Sequence, residues 1–412
     1  MKKITTFVLT ALASFSFMAS CSGPSRIAGR AESLPKADLS KPVVLAIERP
    51  EIYLPLVEGK RVGLLSNSTA VSGPEQKHSL DILLEQGVNV TTIFAPEHGF
   101  RDFADAGEHV ADMVDEKTGI YIQSLYSFRK KEHQSRIDSV DVIIIDIQDV
   151  GLRYYTYYIS MMSMMDMAIE HGKRFIVFDR PNPNGSYVDG PILDMAKHKS
   201  GVGAAPIPVV HGLTLGELAT MANEEGWLKD GKRLDDLHVV ECGNYDHQRR
   251  WPINRRPSPN LRTLHSVYLY PSICYFEGTT VSLGRGTEVS FEVYGHPSFK
   301  GKCNFQFTPM PIDGAKNPRY KGETCYGRDL RLIDNEEIIK KGVDLSYVID
   351  AYNLMDKPGD AFFTSFFEKL IGRDYVREMI KEGKSAEEIK AVWAQEVEDF
   401  KVLRRKYLRY RE

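Results

Sequence analysis

The chain has 412 residues, of which 42% are hydrophobic and 26% are charged, and its formal net charge at pH 7 is -3. This length is too great for one small hydrophobic core, so two domains are expected. The composition is ordinary for a globular protein, and the near balance of charge gives no electrostatic reason to expect a nucleic-acid partner.

The N-terminal segment predicts a secretory signal, which is not part of the fold. A Lys-Lys pair precedes an apolar run, and the small residues of "MASC" end at Cys21. The pattern resembles a bacterial lipoprotein signal, in which the cysteine becomes the lipidated first residue. The apolar run is too short for a permanent transmembrane helix. We therefore predict a signal peptide over 1–20, a tether over 21–45, and an exported, periplasmic or outer-membrane-anchored protein that contacts the membrane only through its lipid.

Short apolar strands then alternate with helices. Strands are predicted over 61–67, 90–96, 141–149, 174–183 and 237–245, and helices over 79–87, 157–172 and 214–227. The run "DVIIIDIQD" is typical of a parallel strand that is buried on both faces. Thr214 and Glu217 match a capping box at the start of the third helix. The alternation predicts an α/β fold with a doubly wound parallel sheet, in a domain over 46–250.

After this domain the pattern changes. Segments rich in Pro, Gly, Tyr and β-branched residues predict loops and strands to about residue 335, and 336–372 and 375–410 are predicted to be helical. We interpret 251–412 as a smaller α+β C-terminal domain that closes a cleft. The basic C-terminal segment is predicted to be a solvated helix, and the alternative is a contact with an anionic polymer or a membrane.

Signatures of cofactor, metal and nucleophile sites are missing from the sequence. There is no G-x-G-x-x-G between a strand and a helix, no P-loop, no H-E-x-x-H and no G-x-S-x-G. The four cysteines beyond Cys21 lack metal-ligand spacing. They are either buried free thiols or, since an exported protein permits it, include a Cys303–Cys325 disulfide. We predict neither a cofactor nor a resident metal ion.

Polar side chains follow four consecutive predicted strands where each strand ends. They are Asn67, then Glu97, His98 and Arg101, then Asp146, Gln148 and Asp149, then Arg180 and Asn182. Ligands of open parallel sheets bind beyond these carboxyl ends. Carboxylates beside amide, guanidinium and aromatic groups suit glycoside cleavage, and the aromatic groups are Tyr154, Tyr155, Tyr157, Tyr270, Tyr275 and Phe276. Binding without catalysis, metal-dependent hydrolysis and a non-enzymatic scaffold stay open on these residues alone.

Six ordered motifs resemble the NamZ family of exo-β-N-acetylmuramidases, long catalogued as a domain of unknown function. They are "APEHGFRDFADAGE", "DIQDVGLRYYTY", "DRPNPNG", "VHGLTLGELA", "RRPSPNL" and "YPSICYFEGTTVSLGRGT", and the resemblance extends over 60–410. It implies a Rossmann-like first domain, an interdomain active site and release of N-acetylmuramic acid from the non-reducing end of peptidoglycan fragments. Glu97 is then the implied catalytic glutamate. Asp102 and Ser127 stand where the family pattern is expected to have glycines.

The acids and the histidine of these motifs have predicted roles. Glu97 is predicted to be the general acid/base, and the alternative is a structural acid paired with Arg101. His98 binds substrate, orients Glu97 or is structural. Asp146 is predicted to be a second catalytic group, and Asp149 to bind substrate or, alternatively, to cap the following segment.

Two arginines are predicted to bind the lactyl carboxylate of muramic acid, which a guanidinium grips bidentately. These are Arg153 and Arg180, and the alternative is that they tie the sheet edge to Asp149 or Asp179. Asn182 either binds sugar hydroxyls or stabilises its own turn.

The loop "FEGTTVSLGRGTE" of the second domain is expected to close the cleft. Glu277 is predicted to be a further catalytic carboxylate, Arg285 to bind substrate and Glu288 to be structural. The remaining predicted substrate-binding residues are Asn67, Arg101, Gln148, Tyr155 and His211. The leading interpretation is an exported muramidase that acts on muropeptides. A muropeptide-binding lipoprotein without catalysis and a metal-dependent hydrolase that uses the strand-end acids are the alternatives.

Overall fold

A computed structural model of the chain describes residues 34, 36–96, 99–101, 112–125, 136–253 and 255–412. The predicted signal peptide with Cys21, and also Glu97, His98, Asp102 and Ser127, lie outside these residues. Within the described ranges, no helix combines the length and the apolar character that a membrane span requires.

One large sheet organises the first domain. The strands of this part of the chain are β1 (Val62–Ser66), β2 (Val71–Ser72), β3 (Lys77–His78), β4 (Val90–Ala95), β5 (Met113–Val114), β6 (Tyr121–Ser124), β7 (Val142–Asp146), β8 (Arg174–Phe178) and β9 (Leu237–Val240). Among the described residues, seven strands form the sheet β5-β6-β4-β1-β7-β8-β9, and β2 pairs with β3. All neighbours in the large sheet are parallel except β5, which is antiparallel to β6. The predicted doubly wound sheet is confirmed, with an antiparallel edge strand that the sequence pattern did not predict.

Helices cover both faces of this sheet, which explains the apolar strands. The helices are α1 (Pro50–Val57), α2 (Ser79–Glu85), α3 (Tyr157–His171), α4 (Met195–His198) and α5 (Leu215–Glu224). Ile143 and Ile145 of β7 contribute to the core that contains α3 and α5, whereas Ile144 contributes to the core that contains α1 and α2. The predicted capping box is confirmed, because Thr214 and Glu217 cap the first turn of α5 reciprocally.

The second domain is a smaller α+β unit, as predicted. Its strands β10 (Val293–His296), β11 (Phe305–Phe307) and β12 (Cys325–Asp329) form an antiparallel sheet in the order β10-β12-β11. Its helices are α6 (Leu264–Ile273), α7 (Asn335–Lys341), α8 (Ser346–Leu354), α9 (Phe367–Ile371), α10 (Tyr375–Lys381) and α11 (Ala386–Arg404). The two long helical segments predicted from the sequence are interrupted. Gly342 and Gly383, which follow α7 and α10, have positive φ values of 69° and 81°, which often accompany a helix end.

The two parts of the chain share a core and are tied together at the C-terminus. The core that contains α3 continues into the second domain through Phe276, Phe367 and Trp393. The hydroxyl of Tyr410 donates to Asp179 at 2.8 Å, which returns the C-terminal end to the first domain. The prediction of a solvated helix for the basic segment 401–412 is wrong, because α11 ends at Arg404 and Tyr407, Leu408 and Tyr410 are buried. The four cysteines Cys242, Cys274, Cys303 and Cys325 are buried free thiols, so Cys303 and Cys325 are not bonded to each other.

Candidate active site

A buried ion pair occupies the carboxyl end of β7. Arg180 donates to both carboxylate oxygens of Asp146, from Nε to Oδ1 at 2.5 Å and from Nη2 to Oδ2 at 3.1 Å. Ser79, the first residue of α2, donates its hydroxyl to the same Oδ2. Arg180 therefore binds Asp146, and not the Asp149 or Asp179 that the sequence indicated. Neither the predicted catalytic carboxylate nor the predicted lactyl-binding guanidinium is left unpaired.

Asn67 organises the turn after β1 and joins it to β7. Its Oδ1 accepts from the N–H and the hydroxyl of Thr69 at 3.0 and 2.6 Å, and the Thr69 oxygen accepts from the N–H of Gln148 at 3.0 Å. His78 donates from Nε2 to the Asn67 carbonyl at 2.9 Å and accepts from Leu80 N–H at Nδ1. Burial lowers the pKa of His78 to about 4, so this ring is neutral. The ends of adjacent strands are thus held in one network.

The amide of Gln148 connects the edge of the sheet to Trp251, at the start of the predicted C-terminal domain. Its Nε2 donates to the carbonyls of Asp149 and Pro181, both at 2.8 Å. Its Oε1 accepts from the indole N–H of Trp251 at 3.0 Å. Gln148 lies at the predicted edge, but its amide is occupied by neighbouring groups of the chain.

Asp149 is a buried acid with one unpartnered oxygen. Its Oδ1 accepts from Gly151 N–H at 2.6 Å, which is the capping role given as its alternative. Its Oδ2 is buried without a hydrogen-bond partner among the described residues. Burial raises the pKa of Asp149 to about 7. Unlike Asp146, this acid is not paired with a described cation and can carry a proton near neutral pH.

We expect Asp149→Asn to stabilise the fold above neutral pH. Because the pKa of Asp149 is about 7 in the folded chain against 3.8 for a free side chain, the folded state binds more protons between these values, and wild-type stability falls as the pH rises. This difference in the pKa of Asp149 corresponds to about 4 kcal/mol. Calorimetry should show a higher melting temperature for the variant at about pH 8 and a difference that shrinks towards about pH 4. A difference that does not change with pH would contradict the raised pKa.

Arg153 holds the two domains together. It is fully buried, and its guanidinium donates to the carbonyls of Pro191, Ile207, Leu370 and Ile371 at 2.6 to 3.0 Å. The last two carbonyls belong to α9 of the second domain. Arg153 therefore contacts neither Asp149 nor Asp179 by a hydrogen bond, and its predicted contact with a lactyl carboxylate has no support in this geometry.

Asn182 and His211 are buried in turns. Asn182 donates from Nδ2 to the Leu213 carbonyl at 2.9 Å and accepts from Asn184 N–H at 2.8 Å, the turn-stabilising arrangement given as its alternative. His211 is 1% exposed, and its Nδ1 accepts from Leu213 N–H at 3.2 Å. Burial lowers the pKa of His211 to about 3. The two side chains serve the chain itself in this structure.

A charged cavity of about 370 Å³, which we call the sheet-edge cavity, opens beside the ends of β1 and β3. Its lining includes Ser68, Lys77, His78, Asp81, Arg101, Lys117 and Arg255. Arg101 donates to Asp115 at 2.6 Å and to Asp81 at 3.4 Å, and Lys117 donates to Asp81 at 2.6 Å. Lys77 is paired with Glu85. Arg255 is exposed and forms no ion pair or hydrogen bond with any described residue.

A second cavity, of about 200 Å³, lies between the domains. We call it the tyrosine cavity, because its lining includes Tyr154, Tyr155, Tyr157 and Tyr270, together with Asn260, Glu277 and Arg285. Arg285 donates from Nε and Nη2 to Oε1 of Glu277, at 3.0 and 2.5 Å. Glu288 is exposed and paired with Arg262, away from this lining. Tyr275 and Phe276 are buried in the core.

The comparisons with known proteins agree over nearly the whole described chain. The N-terminal model of the exo-beta-N-acetylmuramidase NamZ matches residues 62–265, and the C-terminal model matches residues 268–410. The chain belongs to the NamZ family. The resemblance of the six motifs is thereby confirmed, and so is the prediction that the chain is a glycoside hydrolase.

Individual similar proteins cover comparable lengths. The peptidoglycan beta-N-acetylmuramidase NamZ of Bacillus subtilis (strain 168) is 35% identical over 374 residues, which are 87% of this chain and 89% of that protein. A crystal structure of a DUF1343 family protein from Bacteroides fragilis NCTC 9343 is 51% identical, has a TM-score of 0.83, and covers 90% of this chain and 100% of its own. A second such protein from the same organism is 27% identical, with a TM-score of 0.75 and coverages of 90% and 99%.

Several residues of the site escaped the sequence reasoning. Ser79 and His78, which bind Asp146 and the turn after β1, carry only a helix-capping signal in the sequence. Trp251 and Arg255 lie at the start of the predicted C-terminal domain, and Arg255 belongs to the motif "RRPSPNL". That motif supported the family resemblance, but no residue in it was selected as a ligand-binding group. The described residues contain no group of three or more His, Cys, Asp or Glu that could hold a metal ion.

Proposed function

We propose that the chain is an exo-acting β-N-acetylmuramidase that releases N-acetylmuramic acid from the non-reducing end of peptidoglycan fragments. The match of both family domains, over residues 62–265 and 268–410, carries this proposal. The name of the Bacillus subtilis relative supports the same reaction and substrate. The N-terminal signal and Cys21 support an exported lipoprotein, so we place the enzyme in the periplasm or anchored at the outer membrane.

Glu97 is the proposed general acid/base. It follows Pro96 directly after β4, a strand that lies between β1 and β6 in the large sheet. As an acid, Glu97 would protonate the glycosidic oxygen while the bond from that oxygen to the anomeric carbon breaks. Asp146 and Glu277, the two further acids predicted for catalysis, are each paired with an arginine. N-acetyl sugars also allow the substrate's own acetamide oxygen to attack the anomeric carbon, and Glu97 then needs no second free carboxylate.

Arg255 is the proposed partner of the lactyl carboxylate, in place of Arg153 and Arg180. It lines the sheet-edge cavity, is exposed, and has no described partner, whereas the other two guanidinium groups are buried and occupied. The neighbouring Arg256 is also exposed but does not line this cavity. The carboxylate is what distinguishes muramic acid from glucosamine, so this contact would set the specificity.

We expect Arg255→Ala to lower kcat/KM for an aryl β-N-acetylmuraminide by about 10- to 100-fold, because hydrogen bonds to a charged group contribute roughly 1.5 to 3 kcal/mol. The kcat/KM of Arg255→Lys should lie between those of Arg255→Ala and the wild type. An ammonium keeps the charge but cannot form the bidentate pair. Steady-state kinetics with Arg256→Ala as the matched control measures this. Equal losses in Arg255→Ala and Arg256→Ala would contradict the assignment.

The activity itself is tested with soluble protein that begins at Ser22. It is incubated with a chromogenic β-N-acetylmuraminide and, in parallel, with the matching N-acetylglucosaminide. Release of the chromophore from the muramide alone is the expected result. If folded protein releases it from neither, the muropeptide-binding lipoprotein without catalysis becomes the better account.

A further inference from the structure

The tyrosine cavity has walls that suit a sugar ring. The hydroxyl of Tyr154 donates to the carbonyls of Tyr270 and Pro271 at 3.0 and 2.9 Å, and the hydroxyl of Tyr155 donates to the Pro257 carbonyl. Because these hydroxyls are hydrogen-bonded to main-chain carbonyls, the rings contribute mainly carbon surface to the cavity. Aromatic carbon surface packs well against the apolar face of a pyranose ring.

Three polar groups of the same cavity lack partners among the described residues. Asn260 is 1% exposed; its Nδ2 donates to the Gly314 carbonyl at 2.7 Å, but its Oδ1 has no hydrogen bond. Arg285 uses Nε and Nη2 on one oxygen of Glu277, which leaves Arg285 Nη1 and Glu277 Oε2 unused. The side chains of Arg285 and Glu277 are 29% and 24% exposed. The lining residues thus have one donor and two acceptors without a described partner, and only one of the three, Asn260 Oδ1, is buried. A ligand that pairs these groups is favoured.

The charge of the cavity favours a neutral ligand. Arg285 and Glu277 neutralise each other, and the other polar residues of the lining, which include Asn260 and Ser258, are uncharged. The sheet-edge cavity differs, because Arg255 stands there without a described partner. An anion such as a lactyl carboxylate or an acidic peptide stem is therefore better placed in the sheet-edge cavity than in the tyrosine cavity.

The two cavities are neighbours along one segment of chain. Arg255 lines the sheet-edge cavity, and Ser258, three residues later, lines the tyrosine cavity. Three residues span at most about 11 Å when fully extended. Tyr155, which lines the tyrosine cavity, is bonded to Pro257 within this segment. The backbone positions of Arg255 and Ser258, one from each lining, are therefore close together.

We propose that the tyrosine cavity binds the neutral N-acetylated sugar on the leaving side of the scissile bond, the N-acetylglucosamine that follows the terminal muramic acid. This assignment rests on the proposed function. The acetamide N–H of that sugar donates to Asn260 Oδ1 or Glu277 Oε2, its carbonyl accepts from Arg285 Nη1, and its apolar face packs on the tyrosine rings.

The test compares two substrates in the same set of variants. One is the disaccharide of muramic acid and N-acetylglucosamine, and the other is an aryl muramide, whose aglycone has no amide or hydroxyl for these polar groups. Asn260→Ala and Arg285→Lys are the test variants. Glu288→Gln is the matched control, since Glu288 is an exposed acid of the same loop that does not line the cavity.

We expect both test variants to lower the ratio of kcat/KM for the disaccharide to that for the aryl muramide by about tenfold or more, since each loses pairing with the sugar. Glu288→Gln should leave the ratio unchanged. An unchanged ratio in both test variants would overturn the proposal, whether both substrates are lost equally or neither is. If thermal melting shows that Asn260→Ala does not fold, the result for Arg285→Lys decides.

A wild type that cleaves neither substrate would contradict the proposed function and not, by itself, the ligand of this cavity. Binding of free N-acetylglucosamine is then measured by saturation-transfer NMR. A signal in the wild type that Arg285→Lys weakens would support the sugar site. Equal signals, or no signal in the wild type, would overturn it.

Discussion

Glu97→Gln should slow muramide hydrolysis by orders of magnitude while the protein stays folded and continues to bind saccharide. A glutamine amide can neither give a proton to the glycosidic oxygen nor accept one from water. General acid/base catalysis contributes typically about 10²- to 10⁴-fold, so a loss of kcat in this range is expected. The measurements are kcat with an aryl muramide, the melting temperature, and the affinity for a muropeptide by calorimetric titration.

The control for this variant is Glu58→Gln, an exposed glutamate at the end of α1. It should have wild-type activity and stability. Two results would remove Glu97 from its role. A Glu97→Gln variant with the wild-type rate would show that the proton comes from elsewhere. A variant that loses its fold together with its activity would favour the structural acid paired with Arg101.

Asp146→Ala should instead destabilise the whole first domain. The substitution would leave the guanidinium of Arg180 buried at 6% exposure without its anion, and breaking a buried pair in this way costs about 3 to 5 kcal/mol. Chemical denaturation measures the loss. The double variant Asp146→Ala with Arg180→Leu should recover part of it, because no unpaired charge then remains.

Asp141→Ala is a matched comparison at the start of the same strand. Asp141 pairs with Arg61, and the two side chains are 36% and 48% exposed, so its removal should change stability by less than about 1 kcal/mol. If Asp146→Ala kept wild-type stability and lost activity, the sequence prediction of a catalytic Asp146 would be favoured over the structural role.

The elements of the fold that depend on local patterns were predictable. The Ile-rich run became β7, whose five residues are all buried, and the capping box of Thr214 and Glu217 begins α5. β5 was not predictable, because a strand of two residues, Met113 and Val114, carries no periodicity. The breaks inside the predicted C-terminal helical segments were missed because a helical hydrophobic pattern continues across glycines such as Gly342, and only the backbone conformation there shows that the helix ends.

At the site, the sequence predicted the positions of residues better than their hydrogen-bond partners. The rule for parallel sheets correctly placed Asn67, Asp146 and Gln148 at one edge. The hydrogen-bond partners of the charged side chains were not predicted correctly. Arg153 donates to main-chain carbonyls, including that of Ile371, which is distant in the sequence. Every residue has a main-chain carbonyl, so residue types do not show which carbonyls an arginine will bind. Arg180 had several acids within its reach along the chain, and only the packing of β7 beside β8 selects Asp146.

The central claim is that the enzyme removes muramic acid from one end of a glycan, and a pair of defined tetrasaccharides tests it most directly. One carries N-acetylmuramic acid at its non-reducing end, and the other carries N-acetylglucosamine there. Products are followed over time by mass spectrometry. We predict free N-acetylmuramic acid as the first product of the former and no cleavage of the latter. Internal cleavage of either glycan into disaccharides would contradict an exo-acting muramidase. So would a result in which neither glycan is cleaved.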